Sequence, residues 1–337
     1  MAFLLASQRC EHYLGGSPCW AGTGVREAHI IGITNQKGGV GKTTTAVNLA
    51  AALAAGELRV LLVDGDPQGN ASSGIGLKPE QLAITVYDVL VGTEPVDAAI
   101  HRSVHFKNLD VIPATPDLAG AEVELVARED RDLILRKALQ AVRNDYDVVL
   151  IDCPPSLGIL TVNILAAADK LIIPLQCEYF ALEGLTQLLR TVSLVQQHLN
   201  PDLTILGVLL TMYDARLNLS KQVAQDAREF FGETVFQTVI PRNIRLAEAP
   251  SFGRPILSYD IASIGSTSYL SLAKEVTHRL GTNVPDRTLA TATVAASSQA
   301  DLASASDPRA DLTTTPATPP PDPEPAPDHS HVRPESP

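Results

Sequence analysis

From residue 29 to residue 280, short apolar runs alternate with longer stretches in which apolar residues recur every three or four positions, the pattern of repeated strand–helix units. Strands are predicted over 29–34, 59–63, 109–113, 147–151, 170–174, 204–210 and 235–240, and helices over 42–55, 120–143, 181–199 and 219–231. A last helix is predicted over "STSYLSLAKEVTHRL". Several of the strands are unbroken Val, Ile and Leu runs, which suits parallel strands covered on both faces by helices. The expected fold class is α/β: a doubly wound, mostly parallel sheet flanked by helices, forming one domain over 29–280.

The two ends depart from this pattern. Residues 1–28 have no strand or helix period and are expected to be an unstructured extension. Met1 and Met212 are the only methionines, so a shorter natural product would need a non-Met start codon; Val25, just ahead of the first strand, is where such a start is expected. Residues 281–337 hold 11 of the 24 prolines, no aromatic residue, and three basic against eight acidic residues. Such a segment buries too little apolar surface to offset its ordering entropy, and a disordered, partly polyproline-like tail is expected.

The formal net charge of −12, much of it in that tail, excludes a wholly basic nucleic-acid binder but not a local basic patch. No run of 18 apolar residues exists to span a bilayer, and "MAFLLASQRC" lacks the basic start of a secretory signal, so a cytoplasmic location is expected. Cysteines 10, 19, 153 and 177 form neither a C-x-x-C pair nor a disulfide-dense pattern, and are read as reduced thiols.

The first strand runs into "NQKGGVGKTTT" and then into an Ala/Leu-rich helix, the context that a phosphate-binding loop requires. Backbone N–H groups from Lys37, Gly38, Gly39, Val40, Gly41, Lys42, Thr43 and Thr44, with the positive helix N-terminus, suit a nucleoside triphosphate. Lys42 would reach the outer phosphates, and the Thr43 hydroxyl can ligate Mg²⁺. The usual G-x-x-x-x-G-K-[ST] pattern would need glycine at 36 and finds Gln36; Lys37 is a second lysine in the loop. The strand ending in "LLVDGDPQGN" puts Asp64 and Asp66 at the carboxyl edge of the sheet, where carboxylates can position water or outer-shell metal ligands. "DVVLIDCPPS" ends in Asp152, the arrangement of a Walker B carboxylate that holds Mg²⁺.

Together with "VLLTMYDAR" and "VIPRNIRLAEAPSFG", these motifs span about 26–280 and resemble the ParA/Soj family of chromosome and plasmid partition ATPases, within the deviant Walker A class of P-loop NTPases. The resemblance implies ATP and Mg²⁺ as cofactors and an ATP-dependent homodimer. Lys37 would correspond to the signature lysine that reaches the phosphates of the partner subunit, and Lys42 to the lysine acting in its own subunit. Asp66 would orient the attacking water, supported by Asp64, with Asp152 near the metal. Adenine would lie over Met212, Pro241 and Asn243. Arg216 and Arg245, with Arg242 beside them, would bind double-stranded DNA without regard to sequence, and a ParB-type centromere-binding protein would stimulate hydrolysis.

These expectations place the protein on the nucleoid as a partitioning switch with no membrane partner. The alternative is a membrane-cycling positioning ATPase similar to MinD, which would need a basic amphipathic helix at the C-terminus. Here the last helix is followed by the acidic proline-rich tail. A tyrosine autokinase would want a tyrosine-rich tail, and none of the tyrosines lies beyond Tyr269.

Overall fold

A computed structural model describes residues 27–178 and 183–282; the expected extension, the Val25 start and most of the tail lie outside them. Six strands form one sheet in the order β3-β2-β4-β1-β5-β6: β1 His29–Ile33, β2 Val60–Asp64, β3 Leu109–Ile112, β4 Val148–Asp152, β5 Lys170–Gln176 and β6 Thr204–Thr211. Every neighbouring pair is parallel. Helices cover both faces and close two apolar cores, one on each side of the sheet. The continuous apolar strands are buried on both faces for that reason.

The topology brings the motifs together. The chain leaves central β1, places β2 and β3 on one side, returns through β4 to the position between β2 and β1, and then adds β5 and β6 on the other side. In register, Ile33 of β1 and Asp64 of β2 both pair with Asp152 of β4. Three loops that are distant in sequence therefore leave from one carboxyl edge, the place where open α/β sheets bind ligands.

Helix α1, Lys42–Ala55, follows β1 and is almost wholly buried. Its small Ala side chains let it lie between the sheet and α11, Ile264–Leu280, where the Tyr269 and Thr45 hydroxyls meet at 3.3 Å. α11 has a Ser263 N-cap and ends at Gly281 in the left-handed region. Its apolar residues Tyr269, Leu272, Ala273 and Val276 face the core.

Two predicted elements need correction. Residues 235–240 are not a seventh strand; they touch β6 only through the isolated bridge of Val235 to Val208 and hydrogen bonds from Phe236 and Ile240. The Gln237 and Thr238 N–H groups donate instead to the Glu275 carboxylate on α11, which takes the donors a ladder would use. The helix predicted over 120–143 is two, α4 Leu118–Glu124 and α5 Ile134–Gln140. The charged "RED" run between them turns away: Asp130 accepts from Arg128 and Lys137, and the Asn163 amide donates to the Arg131 carbonyl. Short helices α2 Asn70–Gly74, α3 Val86–Val91, α9 Ile244–Glu248 and α10 Ile256–Tyr259 lie within segments for which no element is predicted. The remaining helices are α6 Ile159–Ala167, α7 Glu183–His198 and α8 Asn218–Phe231.

The closest packing at the carboxyl edge is at Gly65, where an added Cβ would lie 2.7 Å from the Asp152 carbonyl oxygen and from Ile164. Gly65→Ala is expected to push the ends of β2 and β4 apart and to lower stability by about 1–3 kcal/mol. Chemical denaturation checks this, and a midpoint equal to the parent would show that the edge has slack.

Candidate nucleotide site

The loop between β1 and α1 is shaped by left-handed glycines at Gly39 (φ 73°) and Gly41 (φ 86°), a conformation that other residues adopt only at a cost. Gly41 is the N-cap of α1 and supplies no side-chain acceptor; the first N–H to find a partner is Thr45, which donates to the Gly41 carbonyl at 2.9 Å. The N–H groups of the first turn are thus left for a ligand, at the positive end of a 14-residue helix. Behind the loop, Thr211 at the end of β6 donates its hydroxyl to the Val40 carbonyl at 2.9 Å, and Asn35 donates to the Pro174 carbonyl at 2.7 Å. The loop is bolted to two neighbouring strands before any ligand arrives.

A cavity of about 470 Å³ opens over this loop. Gly38, Gly39, Gly41, Lys42, Thr43 and Thr44 line it, joined by Asp66 and Met212. Val40 contributes its carbonyl to the loop's anchorage and buries its side chain. A larger cavity of about 1130 Å³ lies at the start of β6, between α7, the end of α8 and α11, and contains none of the motif residues.

The two strand-end aspartates lie beneath the loop, both fully buried. Asp64 is engaged by protein: Oδ2 accepts from the Ser72 N–H at 2.8 Å and its hydroxyl at 2.7 Å, and Oδ1 from the Asp66 N–H at 3.2 Å. Burial nevertheless outweighs these bonds and pushes its carboxyl up to about 6. Asp152 is different, because neither of its oxygens has a hydrogen-bond partner. Burial first, and then the charge of Asp64, hold its carboxyl well above the usual range, against smaller opposing effects of Thr43 and Lys42. An orphaned carboxylate in a dry pocket beside a threonine hydroxyl and a lysine is what a hard divalent cation would satisfy, so these residues fit Mg²⁺. Lys42 is buried; desolvation lowers its pKa, while Asp152 and Asp66 favour its charge.

Asp66 sits where the cavity meets the loop after β2, its Oδ1 accepting from the Gln68 N–H at 2.9 Å. Asp64, predicted to support it, accepts from the Asp66 N–H and ties β2 to α2 through Ser72, whose hydroxyl also accepts from the Ala114 N–H at 2.9 Å. Its role here is to hold the loop that carries Asp66.

Lys37 does not line the cavity. Its ammonium pairs with Glu178, just past β5, while its carbonyl accepts from Lys42 Nζ at 3.2 Å. Of the predicted adenine contacts, Met212 lines the cavity in a left-handed conformation (φ 50°), whereas Pro241 and Asn243 do not line it. Pro241 bridges to Tyr213, and the Asn243 side chain caps α9. The arginines are exposed and lie outside the cavity: Arg216 pairs with Asp214 through two hydrogen bonds, Arg245 pairs with Glu248 and Asp260, and Arg242 stands on the surface between them in sequence.

Sequence reading missed several residues that line the cavity or hold it. Asn48 lies one turn beyond Thr44 on α1, a spacing that could have pointed to it; Ser72 on α2, and Pro250 and Arg254 after α9, come from segments whose place only the fold reveals.

A family model described as an AAA domain matches residues 28–205. The chromosome partitioning protein ParA of Myxococcus xanthus is 53% identical over 278 residues, covering 82% of this chain and 96% of the relative. The sporulation initiation inhibitor protein Soj of Bacillus subtilis is 60% identical over 247 residues, covering 73% and 97%. Among solved structures, one titled cobyrinic acid a,c-diamide synthase, from Mycobacterium smegmatis with a bound ATP analogue and magnesium, is similar with a TM-score of 0.66 and 40% identity, covering 77% of this chain and 98% of that one.

Both buried carboxyls sit above their unfolded values, so at these two groups the folded chain binds protons more tightly than the unfolded one, and their contribution to stability falls as pH rises from about 4 into the neutral range. Asp152→Asn removes one of these charges; it is expected to raise the stability of the nucleotide-free protein by about 1–2 kcal/mol near pH 7 and to reduce the fall with pH. Urea denaturation at two pH values reads this, and a destabilised variant would show that the carboxylate has a partner.

Proposed function

The chain belongs to the ParA/Soj family of chromosome-partitioning ATPases, and on that premise we propose that it is an ATP-dependent partitioning switch. Nucleotide-loaded copies pair, the pair binds double-stranded DNA on the nucleoid without regard to sequence, and hydrolysis stimulated by a ParB-type protein releases it. Residues 29–280 are the working domain in this reading, with 1–28 and 281–337 as extensions of it in the cytoplasm.

When bound, Mg²⁺-ATP supplies the phosphoanhydride and the divalent charge. The N–H groups of 38–44 and the Lys42 ammonium hold the phosphates, and Thr43 and Asp152 hold the metal. Asp66 accepts a hydrogen bond from the attacking water and orients it. Lys37 of the second copy offsets the charge that develops on the transferred phosphoryl group, as an arginine finger does. Met212 covers the base, with Pro241 and Asn243 closing toward it. Arg216, Arg242 and Arg245 contact DNA phosphates.

The observation that carries the pairing is the position of Lys37: a lysine of the phosphate loop that stands outside the cavity of its own subunit, held by Glu178. A cation so placed serves a second site better than the first. The structural likeness to the Mycobacterium smegmatis protein, at lower identity than the partition relatives, supports the nucleotide and the metal.

A DNA titration with no nucleotide, ADP, ATP and a slowly hydrolysed analogue tests the switch. Binding is expected only with ATP or the analogue, and Arg216→Glu with Arg245→Glu should abolish it while leaving ATP-driven pairs intact. Each phosphate contact removed is expected to flatten the slope of log K against log salt by about 0.9. Binding that ignores nucleotide would refute the switch, and lipid binding in place of DNA binding would move the chain to the membrane-cycling class.

The Lys37–Glu178 pair is half-exposed and worth at most about 1 kcal/mol. Glu178→Gln is accordingly expected to lower the ATP concentration needed for pairing by about two- to five-fold, as sedimentation reads it. A midpoint that rises instead would assign Glu178 to the paired state.

A further inference from the structure

One cation lining the nucleotide cavity has no role in the mechanism above. Arg254 is exposed and lines the cavity together with the phosphate loop, and among the described residues no acidic side chain pairs with it. Two nearby arginines find acids, Arg216 in Asp214 and Arg245 in Glu248 and Asp260, and Arg242, which like Arg254 has no acidic partner among the described residues, does not line the cavity. An unpaired guanidinium beside a cavity already built for an anion is a ready partner for that anion.

The backbone that carries Arg254 is clamped on both sides. On one side Gly253, left-handed at φ 62°, lies against Gly76, left-handed at φ 89°; a Cβ on Gly253 would come within 2.7 Å of the Gly76 Cα, and one on Gly76 within 2.9 Å of the Gly253 carbonyl oxygen. The His105 ring closes the same junction, its Nε2–H shared between the Ile75 and Gly253 carbonyls at 2.8 and 2.9 Å. Two carbonyl acceptors assign the proton to Nε2. His105 is itself left-handed at φ 61°, a conformation held for this contact. On the other side, the Ile256 N–H donates to Asn48 Oδ1 at 2.7 Å, and the Asn48 amide donates to the Thr44 carbonyl at 2.8 Å, within the first turn of α1. The segment that carries Arg254 is therefore tied to the phosphate loop's own helix.

We propose that Arg254 is a nucleotide-binding residue whose guanidinium pairs with the phosphates. The proposal rests on the nucleotide reading of the site. It gives that reading a further consequence, because Arg245, on α9, lies nine residues earlier in the same segment. Nucleotide held by Arg254 biases the segment that presents Arg245 to DNA.

Equilibrium binding of fluorescent ADP and ATP to the full chain tests it, with Arg254→Ala, Arg254→Lys and Lys42→Ala compared with the parent. Arg254→Ala is expected to weaken both nucleotides by about ten-fold and to make their affinity less salt-dependent, while Arg254→Lys recovers part of the loss as a point charge without the planar fork. The ATP concentration for half-maximal DNA binding should rise by the same factor. Since Arg254 has no side-chain partner among the described residues, the melting temperature of Arg254→Ala without nucleotide should match the parent, which separates a binding role from a structural one. Parental affinity in Arg254→Ala, or a loss with unchanged salt dependence, overturns the phosphate pairing. If Lys42→Ala loses nucleotide while Arg254→Ala does not, this proposal alone falls; if Lys42→Ala also binds normally, the nucleotide reading of the loop falls with it.

Discussion

Two carboxylates cannot lie side by side at a dry sheet edge unless something holds their charge, and the site of this protein is organised around that constraint. The parallel register of β2 and β4 sets Asp64 directly beside Asp152, and Gly65 lets the two strand ends close to a distance that no side chain would permit. Asp64 is satisfied from within by Ser72 and the Asp66 N–H. Asp152 has no such bonds. An unmet buried acceptor destabilises the fold by an amount comparable to a lost hydrogen bond or more, and such a group persists where a ligand completes it. The same orphaned charge favours the buried Lys42 ammonium over the edge, so that one uncompensated group orders both the metal side and the phosphate side of the pocket.

The surroundings convert a binding pocket into something that can report its state. Lys42 donates to the carbonyl of Lys37, whose own ammonium is held by Glu178. A phosphate that takes Lys42 removes one restraint on the residue five positions earlier, leaving the weaker surface pair as the other. On the opposite wall, Asn48 joins the first turn of α1 to Ile256, and His105 joins the end of α2 to Gly253. Both walls are thus connected by hydrogen bonds to elements that face outward. Coupling of this kind needs no long pathway, because the segments that would sense the ligand and the segments that would meet a partner are the same few residues.

Much of this was legible in the chain because parallel sheets and phosphate loops leave strong local marks. Unbroken Val/Ile/Leu runs located six strands to within one or two residues, and the glycine spacing after β1 located the loop. What the local pattern lacked was knowledge of competitors. Residues 235–240 have strand-like composition, but Glu275, some forty residues later, takes the N–H groups of Gln237 and Thr238. The run from 120 to 143 has helical periodicity, but Asp130 and Asn163 hold its middle open. The candidate site divides in the same way: Lys42, Thr43 and Asp66 announce themselves by motif, whereas the hydrogen bonding that separates Asp64 from Asp152 depends on Ser72, a residue with no signature of its own.

The arginine surface raises the question of how a chain of net charge −12 could hold DNA at all. Arg216 and Arg245 are each occupied by acids of their own subunit, and the Arg216 pairing draws Asp214 down to about 2, so that acid stays ionised at any ordinary pH. Exposed pairs of this sort are weak and exchangeable, so a DNA phosphate can displace the carboxylate, but the displaced carboxylate remains nearby and repels the same backbone. The net gain per arginine is therefore small, and the proposed DNA patch of one subunit has three of them, Arg216, Arg242 and Arg245. Affinity that is negligible for one patch becomes useful when two are joined rigidly, since the second engagement is then intramolecular and its effective concentration is set by the spacing of the patches. In the proposed pair the acidic partners are thus part of the switch: they hold the single subunit below the threshold of DNA binding, and nucleotide-driven pairing raises the assembly above it.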